Sequence, residues 1–408
     1  MLVLPLISSV HRIRTTFRIE TFMTTIRDSH DVAHPSPSQH KIPVCRPKLG
    51  ESERRRVNEC LEGGWVSGIS PYVERFEDTF ARYCGVKYGV ACNSGTTALH
   101  LALVSLGIRE GDEVIIPTFT MIATPNAISY TGARPVLVDS ETRTWNIDVA
   151  KIREKITPRT RAIMPVHTYG HPVDMDPLKE LAEKHSLFVI EDAAESHGAE
   201  YKGRRTGSLG DVGCFSFYAN KIITTGEGGM LVTNDWELAE KARWLRAHAF
   251  GKEGRHFFHE AVGFGYRLSG LQAALGLGQL EHIQQFVESR RKNARLYNSF
   301  LSKLGSRVSL PPEASWAKNI YWMYSILIED SFGITRQELM DKLERDGIET
   351  RTFFYPVHIQ PVYKELGKSS WFPNAEMLSK RGLNLPSGND LSEEEVTFVC
   401  ESINAYAK

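Results

Sequence analysis

The strongest constraint on the fold is a regular alternation of short apolar segments with helix-forming segments along the middle of the chain. The segments predicted to be strands are YGVAC (88–92), DEVIIP (112–117), RPVLVD (134–139), RAIMPVH (161–167), LFVIED (187–192), CFSFY (214–218) and GMLVT (229–233). Short apolar strands separated by helices are typical of a largely parallel sheet that is covered on both faces. The sequence therefore predicts an α/β domain with a mixed, mostly parallel sheet sandwiched by helices.

The remainder of the chain divides into further parts. Residues 1–40 are rich in Ser, Thr, Arg and His and predict a disordered extension, with a transit peptide or a true start at Met23 as alternatives. The large domain covers 41–268, and a helical repeat over 269–304 predicts a linking helix. Residues 305–408 mix strand-like and amphipathic segments, which predicts a smaller C-terminal α+β domain.

Composition argues against several classes of function. The 49 basic residues balance 49 acidic residues, so no net field attracts nucleic acid or an anionic membrane surface. No apolar run approaches the length of a membrane span. The six cysteines show no metal-binding spacing, which is typical of reduced thiols, and we expect a cytoplasmic protein.

Asp192 closes the predicted strand LFVIED, Lys221 closes the strand-like segment CFSFYANK (214–221), and their chemistry is complementary. Strand ends at the carboxyl edge of an open α/β sheet are where ligands bind, so the two side chains can meet over one ligand. Pyridoxal phosphate suits this pair, because its aldehyde needs a lysine for a Schiff base and its ring nitrogen needs an acid. The plainer alternatives are a solvated loop lysine and a helix-capping Asp. Gly226, Gly228 and Gly229 favour a lysine held beside tight backbone.

A candidate phosphate cradle precedes both of these strands. Ser94, Gly95 and Thr96 connect the first strand to an apolar helix. Free backbone N–H groups and the positive end of a helix dipole bind phosphate at such a turn. An ordinary helix N-cap is the alternative. The position of the turn ahead of the Asp and Lys strands favours the phosphate site.

Longer motifs resemble the sugar-nucleotide aminotransferases of the DegT/DnrJ/EryC1/StrS family over about residues 42 to 402. The matching motifs include GGWVSG (63–68), GDEVIIPTFTMIATPNAI (111–128), EDAAESHGA (191–199), GDVGCFSFYANKIITTGEGGM (210–230), GYRLSGLQAALGLGQLE (265–281) and RGLNLPSG (381–388). The resemblance implies the type I fold of aminotransferases that depend on pyridoxal phosphate. The segments VHTYGHPVDMDP and FFYPVHIQPVY most resemble members that move the amino group of L-glutamate to C4 of a GDP-linked 4-keto-6-deoxy sugar.

The resemblance also implies roles for residues around the cofactor. Lys221 would form the Schiff base, and Asp192 would contact the pyridine nitrogen. The turn at 94–96 would hold the phosphate together with Ser216. Glu195, where many relatives carry Gln, would lie near the phenolic oxygen, so either a proton or a neighbouring cation is needed there.

Other residues are implied for ring stacking and for the substrate. Phe119 is the predicted stacking residue, and Met121 is the alternative. The residues expected to face the sugar nucleotide, each with structural packing as its alternative, are Trp65, Arg267, Tyr355, His358 and Tyr363. No metal site is predicted, because His167 and His171 flank a loop where helical spacing does not hold.

One departure from the family concerns the neighbouring subunit. The family usually has Asn-Tyr-Arg where this chain has Gly265-Tyr266-Arg267. That Asn reaches the phosphate of the partner subunit's cofactor, so here the contact is missing or replaced by backbone or water. A phosphate site completed by a second chain implies a homodimer with shared active sites, and a tetramer is the alternative.

Three other functions compete with transamination of a GDP sugar. Dehydration is disfavoured, because the dehydratases of the family carry His at the position of Lys221. A UDP- or dTDP-linked 4-keto-6-deoxyhexose is a second substrate class that residue spacing does not separate. A non-catalytic regulator that binds the cofactor or a sugar nucleotide is the third, and the intact pair of Lys221 and Asp192 disfavours it.

Overall fold

The computed structural model describes residues 42–251 and 257–407. The expectations for residues 1–40 therefore lie outside the described residues. The strands are β1 (Tyr88–Cys92), β2 (Glu113–Pro117), β3 (Arg134–Val138), β4 (Thr160–Ile163), β5 (Phe188–Asp192), β6 (Glu200–Tyr201), β7 (Arg204–Arg205), β8 (Val212–Ser216), β9 (Gly229–Thr233), β10 (Val308–Ser309), β11 (Ala317–Lys318), β12 (Tyr324–Ile328), β13 (Arg351–Thr352) and β14 (Gly382–Leu385).

Seven of these strands form the central sheet. Their order is β1-β9-β8-β5-β4-β2-β3. The pairs from β8 to β3 are parallel, whereas β9 runs antiparallel to both of its neighbours. The prediction of a mixed, mostly parallel sheet is confirmed.

Both faces of the central sheet are buried against separate cores. Along β2, Val114 and Ile116 enter one hydrophobic cluster, whereas Ile115 enters another. Successive strand residues point to opposite faces, so an unbroken apolar run is what a doubly covered strand requires. This burial explains why the strands were recognisable in the sequence.

Helices cover the sheets. They are α1 (Glu51–Glu62), α2 (Pro71–Cys84), α3 (Gly95–Ser105), α4 (Ala123–Tyr130), α5 (Val149–Ile152), α6 (Met175–Lys184), α7 (Trp236–Arg246), α8 (Gly270–Leu280), α9 (Ile283–Leu301), α10 (Arg336–Arg345), α11 (Pro373–Arg381) and α12 (Glu393–Tyr406). Within the described ranges, no helix has the length and apolar character that crossing a bilayer requires. The segment 269–304, expected to be one helix, contains α8, α9 and the break between them.

A second sheet lies in the C-terminal part of the chain. Its order is β10-β12-β14-β13, and all of its pairs are antiparallel. Buried side chains of α9, α10 and α12 pack on it in a core of their own. In this sheet β12 begins at Tyr324. Trp322 and Met323 therefore precede the strand and line the cavity described next.

Candidate active site

A cavity of about 410 Å³ lies at the carboxyl ends of the central strands. Asp192 ends β5 and Ser216 ends β8, and both line its wall. This edge of an open α/β sheet is the usual place for a ligand. The predicted site residues that the structure brings together there are Ser94, Gly95, Thr96, Met121, Asp192, Glu195, Ser216 and Lys221.

Asp192 is a buried carboxyl with two hydrogen-bond donors. The Thr124 hydroxyl donates to Oδ2 at 2.8 Å, and the Ala194 N–H donates to Oδ1 at 3.2 Å. Thr124 Oγ1 also lies 2.9 Å from Thr120 Oγ1, so Thr120 supplies the proton of that second contact. Burial raises the pKa of Asp192, and the two donors and the charge of Lys221 oppose the shift. The Thr124 hydroxyl therefore holds the Asp192 carboxyl in place. Its two hydrogen bonds and the charge of Lys221 offset part of the cost of burying the negative charge.

Lys221 presents a buried amine to the same cavity. Its Nζ lies 3.8 Å from the ring centroid of Trp322, and the indole N–H of Trp322 donates to the carbonyl oxygen of Asn220 at 2.9 Å. Burial lowers the pKa of the amine, and the nearby carboxyls of Glu195 and Asp192 act in the opposite direction. Lowering the pKa makes more of the amine available in its neutral form, which is the form that acts as a nucleophile and a base.

Glu195 is a second buried acid beside Lys221. Its Oε2 accepts a hydrogen bond from the Tyr169 N–H at 2.8 Å. Burial raises its pKa to about 7, although the charge of Lys221 and the Tyr169 bond work against this shift. Tyr169 has a positive φ of 52°, and its hydroxyl accepts from the Phe354 N–H at 3.1 Å, so its position is fixed at both ends. Glu195 can therefore hold or release a proton under ordinary conditions.

The start of α3 forms the other end of the cavity. Ser94 is the N-cap, and its hydroxyl accepts from the Thr97 N–H at 3.1 Å. The N–H groups of Gly95 and Thr96 have no partner within the helix and mark an anion site. A Cβ on Gly95 would lie 2.7 Å from the Cβ of Ser216, so only glycine allows this close approach. The helix start, the buried acid and the amine together fit the phosphate, ring nitrogen and aldehyde of pyridoxal phosphate.

The structure corrects the expectation for Phe119. This side chain is completely buried and packs against the rings of Tyr169, Phe353 and Phe354. It does not line the cavity, whereas Met121 does and is about half exposed. The chain turns after β2, so Phe119 points into the protein and Met121 points into the cavity. Met121 is the residue in position to stack on a ring.

His358 and Tyr363 are placed in the protein interior. His358 is buried, with Nδ1 at 2.7 Å from Thr118 Oγ1 and Nε2 at 3.0 Å from Glu376 Oε1. The Tyr363 hydroxyl donates to Asn126 Oδ1 at 2.7 Å. Because protein groups already engage their polar atoms and neither side chain lines the cavity, the expectation of substrate contacts is corrected in favour of structural packing.

The other three expected substrate residues lie at the surface of this chain. Trp65, Arg267 and Tyr355 are exposed, and none of them lines the cavity. The expectation that these side chains face the substrate therefore stays a prediction. Because they are exposed, these side chains could instead contact the active site of a second subunit, which is taken up as a proposal below.

The paired histidines are satisfied by protein atoms. His167 Nε2 lies 2.9 Å from Glu191 Oε2, and its Nδ1 accepts from the Val173 N–H. His171 Nδ1 lies 2.7 Å from the Pro172 carbonyl, and its Nε2 accepts from the Ala314 N–H. In residues 42–251 and 257–407, no three His, Cys, Asp or Glu side chains form a group that could hold a metal ion.

Sequence reasoning missed several residues of the cavity. Thr124 lies on α4 and Trp322 precedes β12, and neither was predicted as a site residue. Arg351 and Asn384 come from the C-terminal sheet and also line the cavity. No local pattern marks these residues, because long-range folding alone brings them to Asp192.

Comparison with known proteins gives a consistent family. The model of the DegT/DnrJ/EryC1/StrS aminotransferase family matches residues 47–404. A GDP-perosamine synthase of Caulobacter vibrioides is 47% identical over 364 residues, which cover 89% of this chain and 98% of that protein. A GDP-perosamine synthase of Escherichia coli O157:H7 is 46% identical over 365 residues, with 90% and 98% covered.

Solved structures agree with this result. The Streptomyces venezuelae protein DesV, in complex with a ketimine intermediate, aligns with a TM-score of 0.82 at 39% identity, over 87% of this chain and 94% of that chain. A putative sugar aminotransferase of Streptococcus pneumoniae in its PLP form aligns with a TM-score of 0.85 at 27% identity, over 90% and 98%. These relatives and structures each cover 87–90% of this chain.

Proposed function

The chain belongs to the DegT/DnrJ/EryC1/StrS aminotransferase family and is a PLP-dependent sugar aminotransferase, and we propose that it moves the amino group of L-glutamate to C4 of GDP-4-keto-6-deoxy-D-mannose. The products are GDP-perosamine and 2-oxoglutarate. The observation that carries this choice of substrate is the 40–47% identity with three GDP-perosamine synthases over about 90% of the chain.

Pyridoxal phosphate, when bound, supplies an electron sink that stabilises negative charge on the reacting substrate carbon. The Thr124 hydroxyl holds Asp192 at the end of β5. There the carboxyl would contact the ring nitrogen, either as a carboxylate or with a proton shared between the two groups. The start of α3 and the Ser216 side chain would hold the phosphate. Met121 would offer its side chain to the ring face, and Lys221 would lie within reach of the aldehyde.

Lys221 acts as the base that moves a proton in both halves of the reaction. A proton must leave the amine-bearing carbon of the donor, and in the second half a proton must be delivered to C4 of the sugar. Burial lowers the pKa of the Lys221 amine, which favours the neutral, proton-accepting form. The ring of Trp322 over the amine also excludes water from that face. Glu195, with a pKa of about 7, can exchange a proton with the same amine.

The functional unit in this proposal is a homodimer. Trp65, Arg267 and Tyr355 are exposed and do not line the cavity of their own chain. In a dimer, these three side chains would contribute to the active site of the partner subunit. Because Gly265 has no side chain, the contact to the cofactor phosphate of that subunit would come from backbone or water. Light scattering of the purified protein tests this assembly, and a monomer with full activity would contradict it.

The substrate proposal is tested by an absorbance titration of the purified enzyme. The enzyme is loaded with pyridoxal phosphate, converted with L-glutamate, and then given either GDP-4-keto-6-deoxymannose or dTDP-4-keto-6-deoxyglucose. We expect the aldehyde band to return only with the GDP sugar. Return with the dTDP sugar instead would move the enzyme to another nucleotide class, to which a 40% identical dTDP-amino-sugar transaminase of Streptomyces venezuelae belongs. No response to L-glutamate would contradict the proposed donor.

A further inference from the structure

Arg290 is a buried arginine on α9 that does not line the cavity. Its exposed fraction is 2%. In the described part of the chain, Nε donates to Asn389 Oδ1 at 2.7 Å, Nη1 to the Trp322 carbonyl at 2.6 Å and Nη2 to Cys45 Sγ at 3.4 Å. None of these three partners is a carboxylate. Because burying a charge without a counter-charge is costly, packing alone does not explain why an arginine stands here.

Two of the three partners contact the peptide group before Lys221. The Trp322 indole N–H donates to the carbonyl oxygen of Asn220 at 2.9 Å, and the Cys45 thiol donates to the same oxygen at 3.5 Å. The ring of Trp322 also lies under the Lys221 amine, with 3.8 Å between Nζ and the ring centroid. Holding the Trp322 backbone therefore holds both the peptide group before the lysine and the ring against which its amine packs.

The third partner contacts the peptide group after Lys221. The side chain of Asn389 accepts from Arg290 and donates to the carbonyl oxygen of Ile222 at 2.9 Å. Asn389 is only 7% exposed, so water competes poorly for either bond. Arg290 thus lies one residue away from the peptide groups on both sides of the lysine. Its nitrogens point in fixed directions in one plane, an arrangement that the ammonium group of a lysine does not reproduce.

We propose that Arg290 is a positioning residue, which fixes the peptide groups on both sides of Lys221 and so holds its amine in the cavity shared with Asp192. The proposal rests on the assignment of Lys221 as the lysine that binds the cofactor. An amine that moves a proton to and from substrate carbon must be placed accurately, and a displacement of about 1 Å can lower a rate about a hundredfold. Arg290 supplies this accuracy from outside the cavity.

The first test compares Arg290→Lys and Arg290→Met with wild type. Lysine keeps the charge and loses the planar fork, whereas methionine loses both, and an apolar side chain of similar size in place of a buried charge is often tolerated. We expect the single-turnover rate with L-glutamate to fall by about 10- to 100-fold in both variants. The half-saturating concentration of L-glutamate should change by less than about threefold, because Arg290 does not line the cavity.

Hydrogen exchange of the cofactor-free protein measures the position of the lysine segment independently of activity. The Lys221 N–H donates to the Tyr218 carbonyl at 3.0 Å. In Arg290→Lys we expect the amides of residues 220–224 to exchange at least about fivefold faster than in wild type, because the contacts that hold this segment are lost. The amides of β5 should keep their wild-type rates. Faster exchange along the whole chain would show general destabilisation and would overturn the positioning role.

Arg291→Lys is the matched control. Arg291 is the next residue on α9, and its guanidinium pairs with Glu313 and donates to the carbonyl oxygen of Asn319. Neither partner is among the groups that contact the peptides beside Lys221. Because lysine keeps the charge that faces Glu313, we expect the rate with L-glutamate to stay within about twofold of wild type. A loss as large as that of Arg290→Lys would overturn the specific role of Arg290.

The outcomes separate this proposal from the assignment of the lysine. Borohydride reduction of the loaded wild-type enzyme, followed by mass spectrometry, is carried out in parallel. If Lys221 carries the cofactor and both Arg290 variants keep the wild-type rate and exchange pattern, only the role of Arg290 is contradicted. If a different lysine carries the cofactor, the assignment of Lys221 fails and the role of Arg290 fails with it.

Discussion

Glu191 and Asp192 are consecutive buried acids at the end of β5, but they lie in very different surroundings. Glu191 is completely buried, and its carboxylate is surrounded by donors. Its Oε2 lies 2.9 Å from His167 Nε2, which must carry the proton because Nδ1 accepts from Val173. The backbone N–H groups that donate to Glu191 at 2.6–2.7 Å are those of Gly207, Leu209 and Gly210. Every lone-pair direction of this carboxylate is used for structure.

Asp192 has fewer donors and borders open space. Among residues 42–251 and 257–407, its hydrogen-bond donors are the Thr124 hydroxyl and the Ala194 N–H, and its side chain lines the cavity with Lys221. Successive strand residues point to opposite faces, so these two adjacent acids cannot share an environment. The comparison teaches that a fully satisfied buried acid stabilises the fold, whereas a partly satisfied acid on a cavity is available for chemistry.

The largest expected effect comes from Asp192→Asn. An amide does not supply a negative charge to the ring nitrogen, so we expect the rate of the half-reaction with L-glutamate to fall by about 10²- to 10³-fold. The free energy of unfolding of the cofactor-free protein should change by less than about 1 kcal/mol, because the burial that raises the pKa of Asp192 also disfavours its charge. Stopped-flow absorbance and urea unfolding measure the two quantities. A large loss of unfolding free energy with an unchanged half-reaction rate would contradict this account, because it would give Asp192 the structural role assigned to Glu191.

Glu191→Gln should show the opposite pattern. The glutamine NH₂ group would face backbone N–H donors that now have an acceptor, and we expect the free energy of unfolding to fall by about 3 kcal/mol. The half-reaction rate of the protein that remains folded should stay near the wild-type value. Urea unfolding and single-turnover kinetics at low temperature check this. A rate loss as large as that of Asp192→Asn would show that Glu191 is part of the chemistry.

Glu195 is a third buried acid, and the effect of its burial can be measured through the pH dependence of the unfolding free energy. Its pKa in the folded protein is raised from 4.5 to about 7, so the folded state holds a proton that the unfolded state has released. Its contribution to stability is therefore complete below about pH 4.5 and is lost as the pH rises to about 7. We expect the difference in unfolding free energy between wild type and Glu195→Gln to shift by roughly 1–3 kcal/mol between pH 5 and pH 8. Parallel stability curves for the two proteins would contradict the raised pKa.

Thr124→Val should have a smaller effect than the substitutions of Asp192, Glu191 and Glu195. It removes the hydroxyl that donates to Asp192 Oδ2 and keeps the shape of the side chain. A hydrogen bond to a charged group contributes roughly 1.5 kcal/mol, so its loss should lower the rate of the half-reaction with L-glutamate about tenfold. Thr120→Val, which removes the neighbouring hydroxyl without touching Asp192, is the matched control and should cost less. Equal losses in both variants would mean that the Asp192 contact is not the cause.

The sequence could predict the parts of the site that local pattern determines. Asp192 ends the apolar strand β5, Lys221 lies five residues after the end of β8, and the turn at 94–96 stands between a strand and a helix. Arg351 and Trp322 could not be predicted in this way, because they reach the cavity only through the packing of the C-terminal sheet. Phe119 was predicted wrongly because the direction of a side chain after β2 depends on how the loop turns.

The identity of the lysine that holds the cofactor is the most direct test of this account. The enzyme loaded with pyridoxal phosphate is reduced with borohydride, which fixes the cofactor to its amine, and the modified peptide is located by mass spectrometry. The account predicts modification of Lys221, the amine that shares a cavity with Asp192 and the start of α3. Modification of a different lysine, or of none, would contradict the assignment of this cavity as the active site.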